Sequence, residues 1–384
     1  MKHATLIRHA HVFAPEDLGQ RDVLMVNGRF LAVEPDLSVT LPEMETIDAE
    51  GKILTPGFFD QHIHVTGGGG EGGPVSRTPE LNLSELVACG TTDVVGVSGT
   101  DFISRSIENL LAKIRALSEE GVSTWMYTSN YRYPPTTLSG EVSKDIFMVP
   151  ECLGVKIAIG DHRSSFPTQD ELLHLLSDIR LAGMISGKIG VLHIHSGDIP
   201  GAFDMYRDIV ARGFPIKHIR PTHCARARHV FDGALQFARD GGYIDITTGG
   251  SCCFEKGPAQ AFVEALDSGA DPKHITMSSD GHGSKPRFDE KGNMIGLAVC
   301  GIECNLTTVR ELVETYNMEI PTALGFITRN VADSHGLKDH GRVGAGAVAN
   351  ALLFDEDFKL TDVFAKGRSM MRSGEILVKG VFET

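Results

Sequence analysis

The feature that most constrains this chain is a run of eight short apolar segments spaced through its middle. They fall at 57–62, 93–97, 124–128, 155–159, 191–195, 219–223, 243–247 and 275–279. Between them lie amphipathic stretches, at 104–120, 170–182, 228–239 and 259–268 among others. In the first of these, Ile107, Leu110, Leu111, Ile114 and Leu117 recur at helical spacing and give one buried face. Eight strands alternating with helices over roughly 250 residues is the arithmetic of a parallel (β/α)8 TIM barrel. A doubly wound sheet also alternates, but it rarely needs eight such units.

The two ends read differently. Segments 6–13, 22–35 and 45–54 are β-like, with a hairpin signal at Asn27-Gly28. The same style returns after His340, at 351–354, 363–366 and 376–379. Neither end has strands enough for a stable sheet, so both are expected to combine in one small β-sandwich-like domain. The expected division is residues 1–54 with 342–384 for that domain and 55–341 for the catalytic barrel.

Composition narrows the function classes. With 36 Lys and Arg against 50 Asp and Glu, the net charge is −14, which argues against nucleic acid as a partner. No apolar run approaches the ~20 residues that span a bilayer, so no membrane association is expected. Arg8, His9 and His11 stand where a signal peptide would carry its apolar stretch, which points to the cytoplasm. The seven cysteines form no CxxC pair, and free thiols are expected.

Chemistry-bearing residues gather at the strand ends. His62 and His64 close the first run, and alternation along a strand points both imidazoles to one side. Lys156 sits within an apolar strand, where a bare ammonium is costly. It can snorkel to the rim, pair with a carboxylate, or lose its charge by adding CO2 as a carbamate, whose oxygens can bridge two metals. His195 ends the fifth run, His223 the sixth, and Asp280 follows the eighth. With units of roughly 31 residues, His64 to Lys156 spans three units, Lys156 to His195 one, His195 to His223 one, and His223 to Asp280 two. All six therefore fall on one face of the barrel. Four imidazoles, a carboxylate and a carbamate match the N/O donor set of two zinc-like ions, and the absence of thiolate ligands favours a catalytic over a structural site.

The His-x-His, Lys, His, His, Asp order resembles the binuclear metal amidohydrolase superfamily, which includes dihydroorotases, hydantoinases and deacetylases. Within it the chain is most similar to the isoaspartyl (β-aspartyl) dipeptidases. The segments carrying that likeness are Asp60-Gln61-His62-Ile63-His64, the glycine-rich 67–73, Ser98-Gly99-Thr100-Asp101, Gly160-Asp161-His162-Arg163-Ser164, Pro221-Thr222-His223 and 278–284. The resemblance implies two Zn2+ per subunit: His62, His64 and Asp280 on the first, His195 and His223 on the second, with carbamylated Lys156 and a hydroxide bridging them. Asp280 would shuttle the proton from the hydroxide to the leaving amine, and Tyr131 would steady the oxyanion. Substrate contacts would come from Gly69, Glu71, Thr100, Tyr131, Arg163, Arg226 and Ser284. Glu71 suits the ammonium of an isoaspartyl dipeptide, and the two arginines suit its carboxylates. The expected partner is thus a small dipeptide, and the resemblance also implies a homo-oligomer, an octamer.

Three positions depart from the family pattern. The 248–253 segment, with Cys252-Cys253, replaces a more acidic, proline-containing stretch. His193 is an extra histidine on the His195 face, either a partner of a ligand or a ligand itself. Asn350 stands where an aspartate is usual. Two other functions compete: a cyclic-amide hydrolase of the dihydroorotase or hydantoinase kind, which gives Glu71 no obvious task, and a non-catalytic oligomeric scaffold, which need not keep all six ligand positions filled.

Overall fold

The computed structural model describes residues 4–288 and 294–383. In chain order the strands are β1 (Ala4–Phe13), β2 (Asp17–Val26), β3 (Arg29–Glu34), β4 (Glu45–Asp48), β5 (Ile53–Pro56), β6 (Phe58–Ile63), β7 (Thr91–Gly96), β8 (Ser123–Thr128), β9 (Cys152–Ile159), β10 (Val191–Ser196), β11 (Ile219–Thr222), β12 (Ile244–Thr247), β13 (Ile275–Ser278), β14 (Ser284–Phe288), β15 (Met294–Val299), β16 (Ala351–Phe354), β17 (Leu360–Ala365), β18 (Arg368–Arg372) and β19 (Glu375–Ile376). The helices are α1 (Leu83–Ala88), α2 (Ile107–Glu120), α3 (Val142–Met148), α4 (Gln169–Ser186), α5 (Ala202–Ala211), α6 (Arg228–Arg239), α7 (Pro258–Asp267), α8 (Cys304–Glu314), α9 (Ile320–Ile327) and α10 (Arg329–His335).

All eight expected parallel strands form, β6 to β13, with one of α1 to α7 in each connection. β6 to β11 make one parallel sheet in sequence order, and β12 pairs with β13 in parallel. Hydrogen bonds join the two groups at both edges. Cys224 N donates to Asp245 O at 3.1 Å, and His64 N donates to Gly281 O at 2.8 Å. The parallel sheet therefore curls round a core built from both its faces and the covering helices. Buried side chains tie it across the middle: Asp245 accepts from Gln61 Nε2 (2.6 Å), Thr222 (2.5 Å) and Ser278 (2.6 Å). Asp60 accepts from Asn305 Nδ2 (2.8 Å) and the Ser279 backbone, and burial raises its pKa to about 7.

Strands from both ends of the chain share one nine-stranded sheet, ordered β19-β18-β17-β16-β5-β1-β2-β3 with β4 on β1. A sandwich-like pair of sheets was the expectation; the hydrogen-bonded ladder is instead continuous, because β5 pairs both with β1 and with β16. β5 carries this sheet to Pro56, past the expected boundary at residue 54. Its core draws on both ends, with Ile7, Val23, Phe30 and Leu54 against Ala351, Leu353 and Phe364. The Asn27-Gly28 turn joins β2 to β3 with positive φ at both residues (48° and 80°), which lets the turn follow the strand twist. The 45–54 run is broken in two by a turn through Glu50 and Gly51. Of 376–379, β19 takes in Ile376 alone, and Leu377 faces solvent. Asn350 fastens this sheet to the parallel strands: its Nδ2 donates to Asp93 of β7 at 2.7 Å and its Oδ1 accepts from Lys366 N at 2.7 Å. All seven cysteines are free.

Candidate active site

The six expected ligands meet at one end of the parallel strands. His62 lies in β6, His195 in β10, and His64, His223 and Asp280 follow β6, β11 and β13 within two residues. His223 and Asp280 both take a left-handed backbone, at φ 60° and 56°. That conformation is uncommon for residues with a Cβ and marks sites where the surroundings hold strain in place. Lys156 differs from the strand-end expectation. It sits in the middle of β9, fully buried, and its long stem carries the amine up to the imidazoles. Nζ ends 3.3 Å from His62 Nε2 and 3.0 Å from Ser98 O.

Asp280 Oδ1 lies 3.4 Å from His62 Nε2 and 3.2 Å from His64 Nε2. His62, His223 and Asp280 present ligand atoms all within 4.8 Å of one another. The His223 ring is 5.1 Å from that of His62 and 4.5 Å from that of His195, so His223 joins the two halves of the cluster. His223 Nδ1 is taken by Thr247 Oγ1 at 2.7 Å, while its Nε2 has no partner among the described residues. His195 meets Tyr131 OH through Nδ1 (3.1 Å) and Asp161 Oδ2 through Nε2 (3.0 Å).

Electrostatics suit cation binding. Burial drives the pKa of His62 to about 3 and of His64 to about 4, and those of His195 and His223 well below the usual value, so each imidazole is neutral and has one unprotonated nitrogen. Burial works to raise the Asp280 carboxyl, but the imidazoles of His223, His62 and His64 around it hold it well below the usual range. Burial brings the Lys156 amine down to about 7, within reach of the neutral form that adds CO2. An unpaired buried nitrogen, converging N and O donors and a neutralisable lysine together fit a pair of divalent cations.

Above this floor opens a cavity of about 790 Å³. Its lining includes His64, Gly69, Glu71, Thr100, Tyr131, Arg163, His195, His223, Arg226, Asp280 and Ser284, while His62 and Lys156 lie beneath it. Every site residue read from the sequence is thus in or under one cavity. Glu71 is anchored rather than free: Arg163 Nη1 stands 3.4 Å from its Oε1, and Ser284 Oγ donates to it. Gly69 holds φ 75°, and a Cβ there would lie 2.3 Å from Ser76 O, so the loop needs glycine at this point.

Asp161 is central to the site although its sequence motif alone gives it no role. Asp161, 6 % exposed, accepts from Arg163 Nε (2.9 Å), Arg163 Nη2 (3.0 Å) and Arg226 Nη1 (3.3 Å) while it faces His195. Burial opposes its charge, but His195 and Arg163 override it and hold the carboxyl far below the usual range. The available signal was a carboxylate two residues before an arginine at a ligand strand's end. The β14–β15 hairpin was also not foreseen; it brings Ser284 and Lys285 to the cavity wall.

These features are those of an amidohydrolase, and the chain belongs to the amidohydrolase family, which it matches over residues 53–370. Its solved neighbours sharpen the likeness. A crystal structure of β-aspartyl dipeptidase from the thermophilic, keratin-degrading Fervidobacterium islandicum AW-1, in complex with β-Asp-Leu dipeptide, is 40 % identical, with a TM-score of 0.90, covering 97 % of this chain and 98 % of that one. A D-hydantoinase structure at 15 % identity and TM-score 0.69, covering 99 % and 98 %, shares the fold. Among curated relatives, adenine deaminase 3 of Rhizobium meliloti (strain 1021) is 24 % identical over 96 % of this chain and 58 % of its own length. A dihydroorotase of Solibacter usitatus (strain Ellin6076) is 41 % identical over 26 % of this chain and 23 % of its own length. The chain thus spans less than two thirds of these curated relatives. Among the described residues, no helix is long and apolar enough to cross a membrane.

Proposed function

We propose that this protein hydrolyses β-aspartyl dipeptides at a binuclear metal site, on a closed (β/α)8 barrel flanked by a small domain made from both termini. The observation that carries the reading is one cavity with clustered imidazoles, a carboxylate and a buried lysine at its floor and opposed charges on its wall. Glu71 answers the substrate ammonium, and Arg163 and Arg226 answer its carboxylates.

His62, His64 and Asp280 would hold one cation and His195 and His223 the other, with Lys156 between them. Lys156 would serve as a carbamate: its neutral nitrogen bonds the carbon of CO2 and releases a proton. The donor set suits zinc, and the pair when bound would supply an acidified water and a polarised scissile carbonyl. The remaining work falls to the chain's own groups. The Asp280 carboxylate, low in pKa and facing the cavity, takes a proton from the attacking water and returns it to the leaving amine. Tyr131 stays a phenol because burial raises its pKa, so its O–H remains a donor to the developing oxyanion. Gly69 lets the backbone approach the substrate, and the Thr100 and Ser284 hydroxyls complete the polar wall. Selectivity for the β-linkage would follow from position: in an α-aspartyl peptide the free carboxylate is the β one, on a different arm from the scissile carbonyl, so it does not meet the arginines when the amide lies over the cavity floor. The cytoplasm and a homo-oligomer complete this reading.

The test is turnover of β-Asp-Leu, α-Asp-Leu, dihydroorotate and adenine by zinc-loaded protein. Cleavage of β-Asp-Leu alone is expected. Equal rates on both peptides refute the selectivity argument, and turnover of dihydroorotate or adenine alone overturns the substrate class.

A further inference from the structure

His193 contributes to the site from beneath. It lies on β10 two residues before His195, in register with Lys156 of β9, and it is 1 % exposed. Its Nε2 is 2.7 Å from His62 Nδ1, while the opposite edge of His62 faces Asp280 and Lys156. Tyr127 stacks on the His193 ring, centroids 4.6 Å apart and planes 16° apart, and is itself held by a hydrogen bond to His335. His193 Nδ1 has no partner among the described residues.

We infer that His193 is a positioning residue that accepts the Nδ1 proton of His62 and thereby commits the His62 Nε2 lone pair to the cation at the cavity floor. A neutral imidazole has one donor and one acceptor nitrogen, so fixing the proton on Nδ1 fixes the ligand atom on Nε2. Two of the other three imidazoles have a comparable partner on one ring nitrogen, Asp161 at His195 Nε2 and Thr247 at His223 Nδ1, while His64 Nδ1 has none among the described residues. His193 differs from Asp161 in bringing an imidazole rather than a carboxylate to the ring it faces. A carboxylate in its place would add a negative charge beside His62; a neutral ring orients the ligand without changing the net charge of the centre. Tyr127 stacking sets the ring plane, so the acceptor is already aimed before a cation arrives. The orphaned Nδ1 is the consequence, since the proton of His193 must sit there when Nε2 accepts.

This inference rests on the metal-site reading above, and zinc binding separates the two. His193→Gln keeps an acceptor oxygen at similar reach; His193→Met fills similar volume without a strong acceptor. Zinc content after dialysis against a graded chelator, and the cobalt(II) absorption spectrum of the substituted protein, are measured alongside circular dichroism. The expected result is two zinc ions in the wild type and in the Gln variant. The Met variant should keep its secondary structure but hold one of its two ions about 10–100-fold more weakly. Its kcat on β-Asp-Leu should fall with occupancy while KM stays put, and its cobalt spectrum should change. Failure of the wild type to bind zinc overturns the metal reading itself. Two zinc ions held by the Met variant as tightly as by wild type overturn the inference alone. Equal loss in the Gln and Met variants also overturns it, because shape rather than the acceptor would then matter.

Discussion

Replacing Asp161 by alanine should damage stability and substrate affinity together, because one carboxylate holds both arginines and a ligand histidine. Its side chain and those of Arg163 and Arg226 are 6 %, 16 % and 18 % exposed, so the contacts are shielded from solvent. Removing it leaves two guanidinium groups and an imidazole N–H crowded around an empty space. Breaking one partner out of a buried ion pair costs about 3–5 kcal/mol. For 384 residues at ~2.1 cal/mol/K each, that is a Tm decrease of roughly 4–6 °C. Arg163 and Arg226 would also lose the anchor that aims them into the cavity. Losing the equivalent of one charge-assisted hydrogen bond, ~1.5–3 kcal/mol, raises KM for β-Asp-Leu about 10–100-fold. Asp161→Asn keeps the shape and one acceptor and should fall between wild type and alanine. Calorimetry and steady-state kinetics measure both effects. An alanine variant within 1 °C, to order of magnitude, of the wild-type Tm and with unchanged KM would refute the reasoning, since shielded pairs of this kind cannot be removed without cost.

Three further outcomes are expected. Lys156→Ala should lose activity and one cation, and short carboxylic acids should restore part of the rate by supplying the missing oxygens; full activity without them would exclude the bridging role. Glu71→Gln should weaken substrate binding with zinc content unchanged, and zinc loss would show that its anchoring by Arg163 and Ser284 serves the metal site instead. His340 pairs with buried Asp93; burial pulls its pKa down, but Asp93 overrides this and raises it above the ordinary 6.5. A raised folded-state pKa gives stability that is complete below the unfolded value and is lost as pH rises through the folded one, by ~1.4 kcal/mol per unit of separation. The Tm gap between wild type and His340→Gln should therefore be widest in mild acid and narrow in alkali, and a gap that widens with pH would contradict the pairing.

Much of the fold was legible because parallel strands buried on both faces read as continuous apolar runs. The ends of those runs were less so. β9 begins at Cys152, before the expected 155, because Gly154 packs its bare backbone against Val191, where a Cβ would lie 2.0 Å from the carbonyl oxygen. β7 begins with Thr91 and Thr92, polar by type and yet buried. The β14–β15 hairpin was illegible because its first strand, Ser-Lys-Pro-Arg-Phe, has neither alternation nor an apolar run. In the site, barrel spacing pointed to the six candidate positions, two from β6 and one each from β9, β10, β11 and β13, although Lys156 lies mid-strand rather than at an end. The partners behind them were harder to see. Strand alternation put His193 on the His195 face but left its role open, and the 2.7 Å contact with His62 is what favours the positioning role proposed above. Asp161 needed three dimensions, because Arg226 reaches it from the loop after β11.

The central claim is that six side chains from five strands and the loops that follow them gather two cations beneath the cavity. Crystals of zinc-loaded protein, with anomalous data collected at the zinc edge, test it most directly. Two peaks are expected, one beside His62 and His64 and one beside His195 and His223, with extra density on Lys156 Nζ between them. A single peak elsewhere, or an unmodified Lys156 turned away from the imidazoles, would contradict the account.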